Sequence, residues 1–237
     1  MKSALITILL LSYLSVLCVA DNFDFFFFVQ QWPGSYCEEH GCCKPSTGVT
    51  PSEKFTIIGL WPKFSNGSTP SSCNPSNAFD QTKISDLISS MEEEWTSLSC
   101  PSNDGTELWG IQWSKHGTCS ESVLDQHAYF QANLNLKNSV DLLQALKTAG
   151  IVADGSFYEV EKIKEAIKSA VGYTPGLSCH NNSAGESMLY QVYLCVDSSG
   201  SNFIECPVFP KGKACVSQAL FPTFEDITTT LSHVYSQ

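Results

Sequence analysis

The sequence predicts an α+β fold. Strand-like runs and helical patterns share one chain without strict strand–helix–strand alternation, and no repeat, linker or low-complexity block divides it. Residues 1–20 read as a removable leader: a basic start at Met1-Lys2, an apolar run, then Cys18-Val19-Ala20 before a cut near Asp21. The apolar run is shorter than the ~20 residues a membrane span needs, and no later segment supplies one. One soluble, monomeric domain without a membrane partner is therefore expected after the leader.

In order along that domain, the aromatic run Phe23 to Val29 predicts a buried strand ending at Trp32-Pro33-Gly34. Residues 36–54, rich in Cys, Pro, Gly and Ser, predict a loop. Phe55 to Leu60 predicts a second strand, stopped by Pro62. Ile84, Leu87, Ile88, Met91 and Trp95 have the spacing of one helical face. A second helical pattern covers Tyr129 to Leu146 and is stopped by Gly150. Val160, Ile163, Ile167 and Val171 mark a third, stopped by Gly172. Met188, Tyr190, Val192 and Leu194 alternate with mostly polar neighbours and predict a half-buried strand.

Composition narrows the function. The formal net charge is -11, and all 13 basic residues are lysines. Broad binding to nucleic acid needs a basic face, preferably with bidentate arginines, so packaging of DNA or RNA is excluded. A small local site working at acidic pH is not. Of 11 cysteines, Cys18 leaves with the leader. The remaining even number in a secreted chain implies five disulfides, with connectivity open from spacing alone. There is no Cys-x-x-Cys or His-x-x-x-His pair, so no metal and no other cofactor is expected. Asn66 and Asn181 lie in sequons and are the candidate glycan sites.

Six stretches together resemble the RNase T2 family, especially its secreted plant, S-like members. They are Phe-Val-Gln-Gln-Trp-Pro-Gly-Ser-Tyr-Cys at 28–37, Gly-Leu-Trp-Pro at 59–62 and Trp-Ser-Lys-His-Gly-Thr-Cys at 113–119. Later come Gly-Tyr-Thr-Pro-Gly at 172–176, Leu-Tyr-Gln-Val-Tyr-Leu-Cys-Val-Asp at 189–197 and Phe-Pro-Thr-Phe at 221–224. The similarity spans residues 23–224. It implies a central antiparallel sheet flanked by helices over a domain at 21–224. It also implies the pairs Cys73–Cys119, Cys179–Cys215, Cys195–Cys206, Cys37–Cys42 and Cys43–Cys100. The family cleaves RNA without metal, by attack of the 2'-hydroxyl on phosphorus to give a 2',3'-cyclic phosphate. That chemistry needs a base for the 2'-hydroxyl, an acid for the leaving oxygen, and cations for the phosphorane.

Carried over residue by residue, the resemblance keeps His116, the base position, and Lys115. It places Ile58 where the family has its acid histidine, and Ile111 and Gln112 where it has a His-Glu pair. Isoleucine can neither donate nor accept a proton, and both isoleucines are expected as inert filler of a sheet. Gln31, Leu108 and Trp109 are the candidate substrate contacts; Leu108 replaces an aromatic residue that usually helps hold a base. Trp61, Trp109 and Trp113 also read as core tryptophans, and His127 and His180 as surface or loop histidines.

The expected protein is a secretory-pathway glycoprotein, extracellular or vacuolar, catalytically impaired or inactive, with a storage or stress-related use. Two rival readings follow. One is an acid endoribonuclease with residual activity from His116 and Lys115; the other is a protein binding RNA or nucleotides weakly. The tail 225–237, with Ile227, Leu231 and Val234 at helical spacing, is the candidate sorting propeptide.

Overall fold

The structure is a computed structural model describing residues 23–224. The leader and the tail 225–237 lie outside the described residues. β1 (Phe25–Gln31) is buried along its whole length, because it is flanked on both edges and covered on both faces. It pairs antiparallel with β2 (Thr56–Lys63) on one side and β5 (Ser187–Asp197) on the other. The sheet order is β2-β1-β5-β7-β3, with β7 at Gln218–Phe221 and β3 at Ser156–Glu159; β4 (Gly176–Asn181) and β6 (Phe203–Ile204) also pair with β5. The pairings are antiparallel except for the single parallel contact of β5 with β7.

The helices are α1 (Pro33–His40), α2 (Ile88–Glu94), α3 (Thr106–Lys115), α4 (Gln126–Ser139), α5 (Leu142–Thr148) and α6 (Val160–Val171). With the sheet they enclose one large core containing Trp32, Trp95, Trp109, Trp113, Tyr129 and Phe130. A smaller cluster of Phe25, Phe27, Val29, Tyr193 and Cys195 lies on the other face of the sheet. That second face carries the site.

Several expectations need correction. Pro33 enters the first turn of α1, where its missing N–H costs nothing, so part of the expected loop is helix. β2 continues through Pro62 to Lys63, which an edge strand permits. The face from Ile84 to Trp95 is buried except at half-buried Ile88, and is split between a 3-10 turn at Gln81–Ile84 and α2, which Trp95 caps. The pattern from Tyr129 to Leu146 breaks at extended Val140, and the Asp141 carboxylate accepts the Gln144 N–H to start α5. β5 is nearly all buried rather than half-buried, because both its edges and both its faces are covered. α6 is as predicted, ending at Gly172 in the left-handed conformation.

All five disulfides are present with the implied pairing. Two matter most for the site. Cys195–Cys206 and Cys179–Cys215 fasten both ends of the segment between Cys206 and Cys215 to β5 and β4. Among the described residues no helix is long and apolar enough to cross a membrane.

Candidate active site

The site begins with an irregularity in β2. Val29 pairs with Gly59 and Gln30 with Ile57, so Ile58 is an extra, unpaired residue in the ladder. Strict alternation would send Ile58 and Trp61 to opposite faces. The bulge re-aims them, and both pack against the smaller cluster while Ile57 and Leu60 face the large core. Gly59 is required here by space. A Cβ on it would lie 2.5 Å from Gln112 Oε1 and 2.7 Å from Trp61 Nε1.

α3 supplies the opposite wall. Trp109 and Trp113 face the core, where their indoles donate to Trp95 O at 3.0 Å and Asn77 O at 2.9 Å. Leu108, Ile111, Gln112 and Lys115 share the other side of the helix by their spacing. Ile111 was expected in the sheet; it is on α3 and 49% exposed at the cleft. Trp61 Nε1 donates to Gln112 Oε1 at 2.8 Å. An indole can only donate, so this bond fixes the orientation of the amide, with Nε2 the free end.

His116 follows directly as the C-cap of α3, its N–H bonded to Gln112 O. The turn is tight: a Cβ on Gly117 would come within 2.2 Å of the Trp113 ring. The imidazole stacks on Trp61 with centroids 5.1 Å apart and 23° between planes. It is buried, and Nδ1 has no hydrogen-bond partner. Burial first, then the charges of Lys115 and Lys63, push its pKa down from 6.5 to about 3. His116 is therefore a neutral imidazole throughout mildly acidic pH: free to accept a proton, but a weak base.

Between these walls lies a cleft of about 480 Å³. Phe27, Trp61, Ile111, Tyr193, Val208 and Phe209 give it an apolar lining; Lys63, Lys115 and Lys211 give it charge. Among the described residues no Asp or Glu lines it. Lys63 is fixed by donating to Gly67 O at 3.0 Å and to the Thr69 hydroxyl, and its ammonium lies 5.4 Å from the Phe27 ring centre. Burial and the nearby Lys211 lower the Lys63 pKa.

The structure thus brings Ile111, Gln112, Lys115 and His116 together at one cleft. Ile58 packs beside it, against the same cluster, without lining it. Gln31 does not line it either; its Oε1 accepts from Gln191 Nε2 at 3.0 Å, and Gln191 Oε1 accepts from Tyr193 OH. Leu108 is half-buried against the large core, and Trp109, at 1% exposure, is inside that core and cannot meet a base. Trp61, read as core, is a cleft wall. Lys63, Phe209 and Lys211 carry no local signal in the sequence, because their proximity depends on contacts between distant segments. His127 pairs with Asp86 on the surface at 3.0 Å. His180 is on β4 rather than in a loop, stacked on Tyr190 and paired with Glu39 at 2.6 Å. Neither histidine lines the cleft.

A disulfide-bonded α+β domain with a cationic cleft beside a buried histidine is the class that fold and site define. The Ribonuclease T2 family pattern matches residues 23–206. Extracellular ribonuclease LE of Solanum lycopersicum is 54% identical over 222 residues, covering 93% of this chain and 96% of its own. Intracellular ribonuclease LX of the same plant is 52% identical over 226 residues, covering 94% of each chain. Among solved structures, RNase NT in complex with 5'-AMP superposes with a TM-score of 0.81 at 48% identity, covering 85% of this chain and 99% of that one. The chain belongs to the ribonuclease T2 family.

Proposed function

We propose that this family member binds phosphate-bearing ligands in its cleft but transfers protons poorly, so that RNA cleavage is slow or absent. The observation that carries this is the cleft's inventory. It has three lysines to hold phosphate, but among the described residues His116 is the one imidazole in its lining, and no carboxyl accompanies it. Ile58, Ile111 and Gln112 stand where an acid, a phosphate-binding histidine and a carboxylate would be needed. Removing a proton-transfer group costs ~10²–10⁴ in rate, and removing a transition-state donor a further ~10², with overlap between them. The low basicity of His116 compounds this, since a base with a pKa of about 3 gains little driving force from an alcohol proton.

A second reading is residual acid endoribonuclease activity through His116 and Lys115, favoured by their shared position at the cleft. The relatives' names, one extracellular and one intracellular, support either an extracellular or a vacuolar destination for a secretory-pathway protein. Asn66 and Asn181 are both exposed, as glycan acceptors must be. A storage or stress-related use fits a protein freed from turnover. An RNA zymogram and a solution cleavage assay from pH 4 to 7 test the central reading, with an intact family member as reference. We expect at least ~10²-fold slower cleavage. Comparable activity that disappears in His116→Ala overturns it, since a contaminating nuclease would survive that change.

A further inference from the structure

We infer that the cleft is a binding site for a small amphipathic anion: a compact, flat apolar body carrying one phosphate, sulfate or carboxylate head, and lacking a hydrogen-bonding edge of the kind a nucleobase has. The inference rests on the reading that the cleft binds without cleaving, and it names the class of ligand.

The charge argument comes first. In a chain with 24 acidic residues against 13 lysines, Lys63, Lys115 and Lys211 converge on one cavity that no carboxylate of the described residues lines. Among the described residues none of the three is in an ion pair. Lys211 is close enough to Lys63 to disfavour the charge on Lys63. An anionic head placed between them relieves that repulsion, and the free Nε2 of Gln112 adds a neutral donor where a carboxylate would have repelled it.

The walls decide what the head is attached to. Ile111 and Phe209 are large apolar side chains, each roughly half exposed at 49% and 48%. Both line the cleft, so a ligand body lying against them removes apolar surface from water. A nucleobase needs partners for its edge, and a buried polar group left unpaired costs about 1–3 kcal/mol. The uncharged polar side chains lining the cavity are few. Gln112 Oε1 is taken by Trp61, and the Thr69 hydroxyl by Lys63. The Tyr193 hydroxyl is engaged with Gln191 Oε1, and Gln112 Nε2 serves the anionic head, which leaves Ser71 and the buried His116. An unfunctionalised aromatic or branched aliphatic body meets no such penalty. At about 480 Å³ the cleft is sized for such a molecule.

The test is calorimetric titration of the purified full chain with 1-naphthyl phosphate, inorganic phosphate, 1-naphthol and a nucleoside 5'-monophosphate. 1-Naphthyl phosphate should bind about tenfold or more tightly than inorganic phosphate and than 1-naphthol, and more tightly than the nucleotide. Lys211→Ala should weaken both phosphates. Ile111→His should weaken 1-naphthyl phosphate while leaving inorganic phosphate unchanged or slightly stronger; circular dichroism and melting curves control for folding. Tighter binding of the nucleotide overturns the inference, as does equal binding of 1-naphthyl and inorganic phosphate, or indifference to Lys211→Ala. These outcomes are independent of RNA turnover: a failed titration with slow cleavage removes only the ligand class, whereas efficient cleavage removes the reading beneath it.

Discussion

At His116 the structure shows a buried imidazole with no carboxylate beside it among the cleft's described lining residues. A carboxylate at position 112 would stabilise the imidazolium, whereas the Gln112 amide spends its oxygen on Trp61 and offers no charge. Gln112→Glu should therefore raise the His116 pKa from about 3 back toward 6.5, read from its ring protons by NMR. Restoration of activity should need more. Ile58→His alone should give little cleavage, while Ile58→His, Ile111→His and Gln112→Glu together should give measurable cleavage. A folded triple variant that is inert would show the cleft itself has diverged, with Leu108 the first suspect. Lys115, His116, Ile111 and Gln112 were legible in the sequence only through the motif resemblance; that α3 sets them side by side was not, since no apolar period marked that helix. Trp61, Lys63 and Lys211 were not, because sheet pairing and a disulfide bring them there from far along the chain.

At the scale of elements, the bulge in β2 and the C-terminal end of α3 hold the two walls, and Gly59 is where they touch. Gly59→Ala must displace the Gln112 or Trp61 side chain and break their 2.8 Å bond. We expect about 1–3 kcal/mol lost in urea unfolding, with a changed Trp61 fluorescence environment. An unchanged midpoint would mean that the walls can separate freely. β1, β2, β5 and the helical faces of α2, α4, α5 and α6 were legible from periodicity, α6 from Val160 to its glycine stop, whereas α1, α3 and the short strands β3, β4, β6 and β7 were not. The misplacements share a cause. The break at Val140 and the burial of both faces of β5 depend on what packs from elsewhere, and a local pattern carries no record of that. The bulge was invisible for the same reason, since it exists only in the pairing with β1.

For the whole molecule, an acidic surface surrounds a cationic recess, and pH acts on the two with the same sign. His116 has a folded pKa of about 3 against 6.5 when free, so between those values unfolding takes up a proton. Its neutral burial costs nothing above pH 6.5 and destabilises the fold by about 1 kcal/mol for each pH unit below that, down to about pH 3. Asp24, Asp80 and Asp104 have carboxyls lowered by hydrogen bonds from neighbouring N–H and hydroxyl groups, and their contributions also vanish in acid. The urea midpoint should therefore fall from pH 7 to pH 4, and His116→Gln should flatten that fall. An equally steep fall in the variant would place the titrating group elsewhere.

The segment between Cys206 and Cys215 also has an evolutionary meaning. Its path is fixed covalently at both ends, yet none of residues 207–214 is buried. Substitutions at exposed Phe209 and Lys211 should cost within about 0.5 kcal/mol, because in this segment it is Val208 that packs against a core cluster. Phe209 and Lys211 can thus be exchanged while sheet and helices stay as they are. The scaffold separates inheritance from novelty: the fold is carried by the core, and the palate of the cleft by a short ribbon that descendants can rewrite one residue at a time.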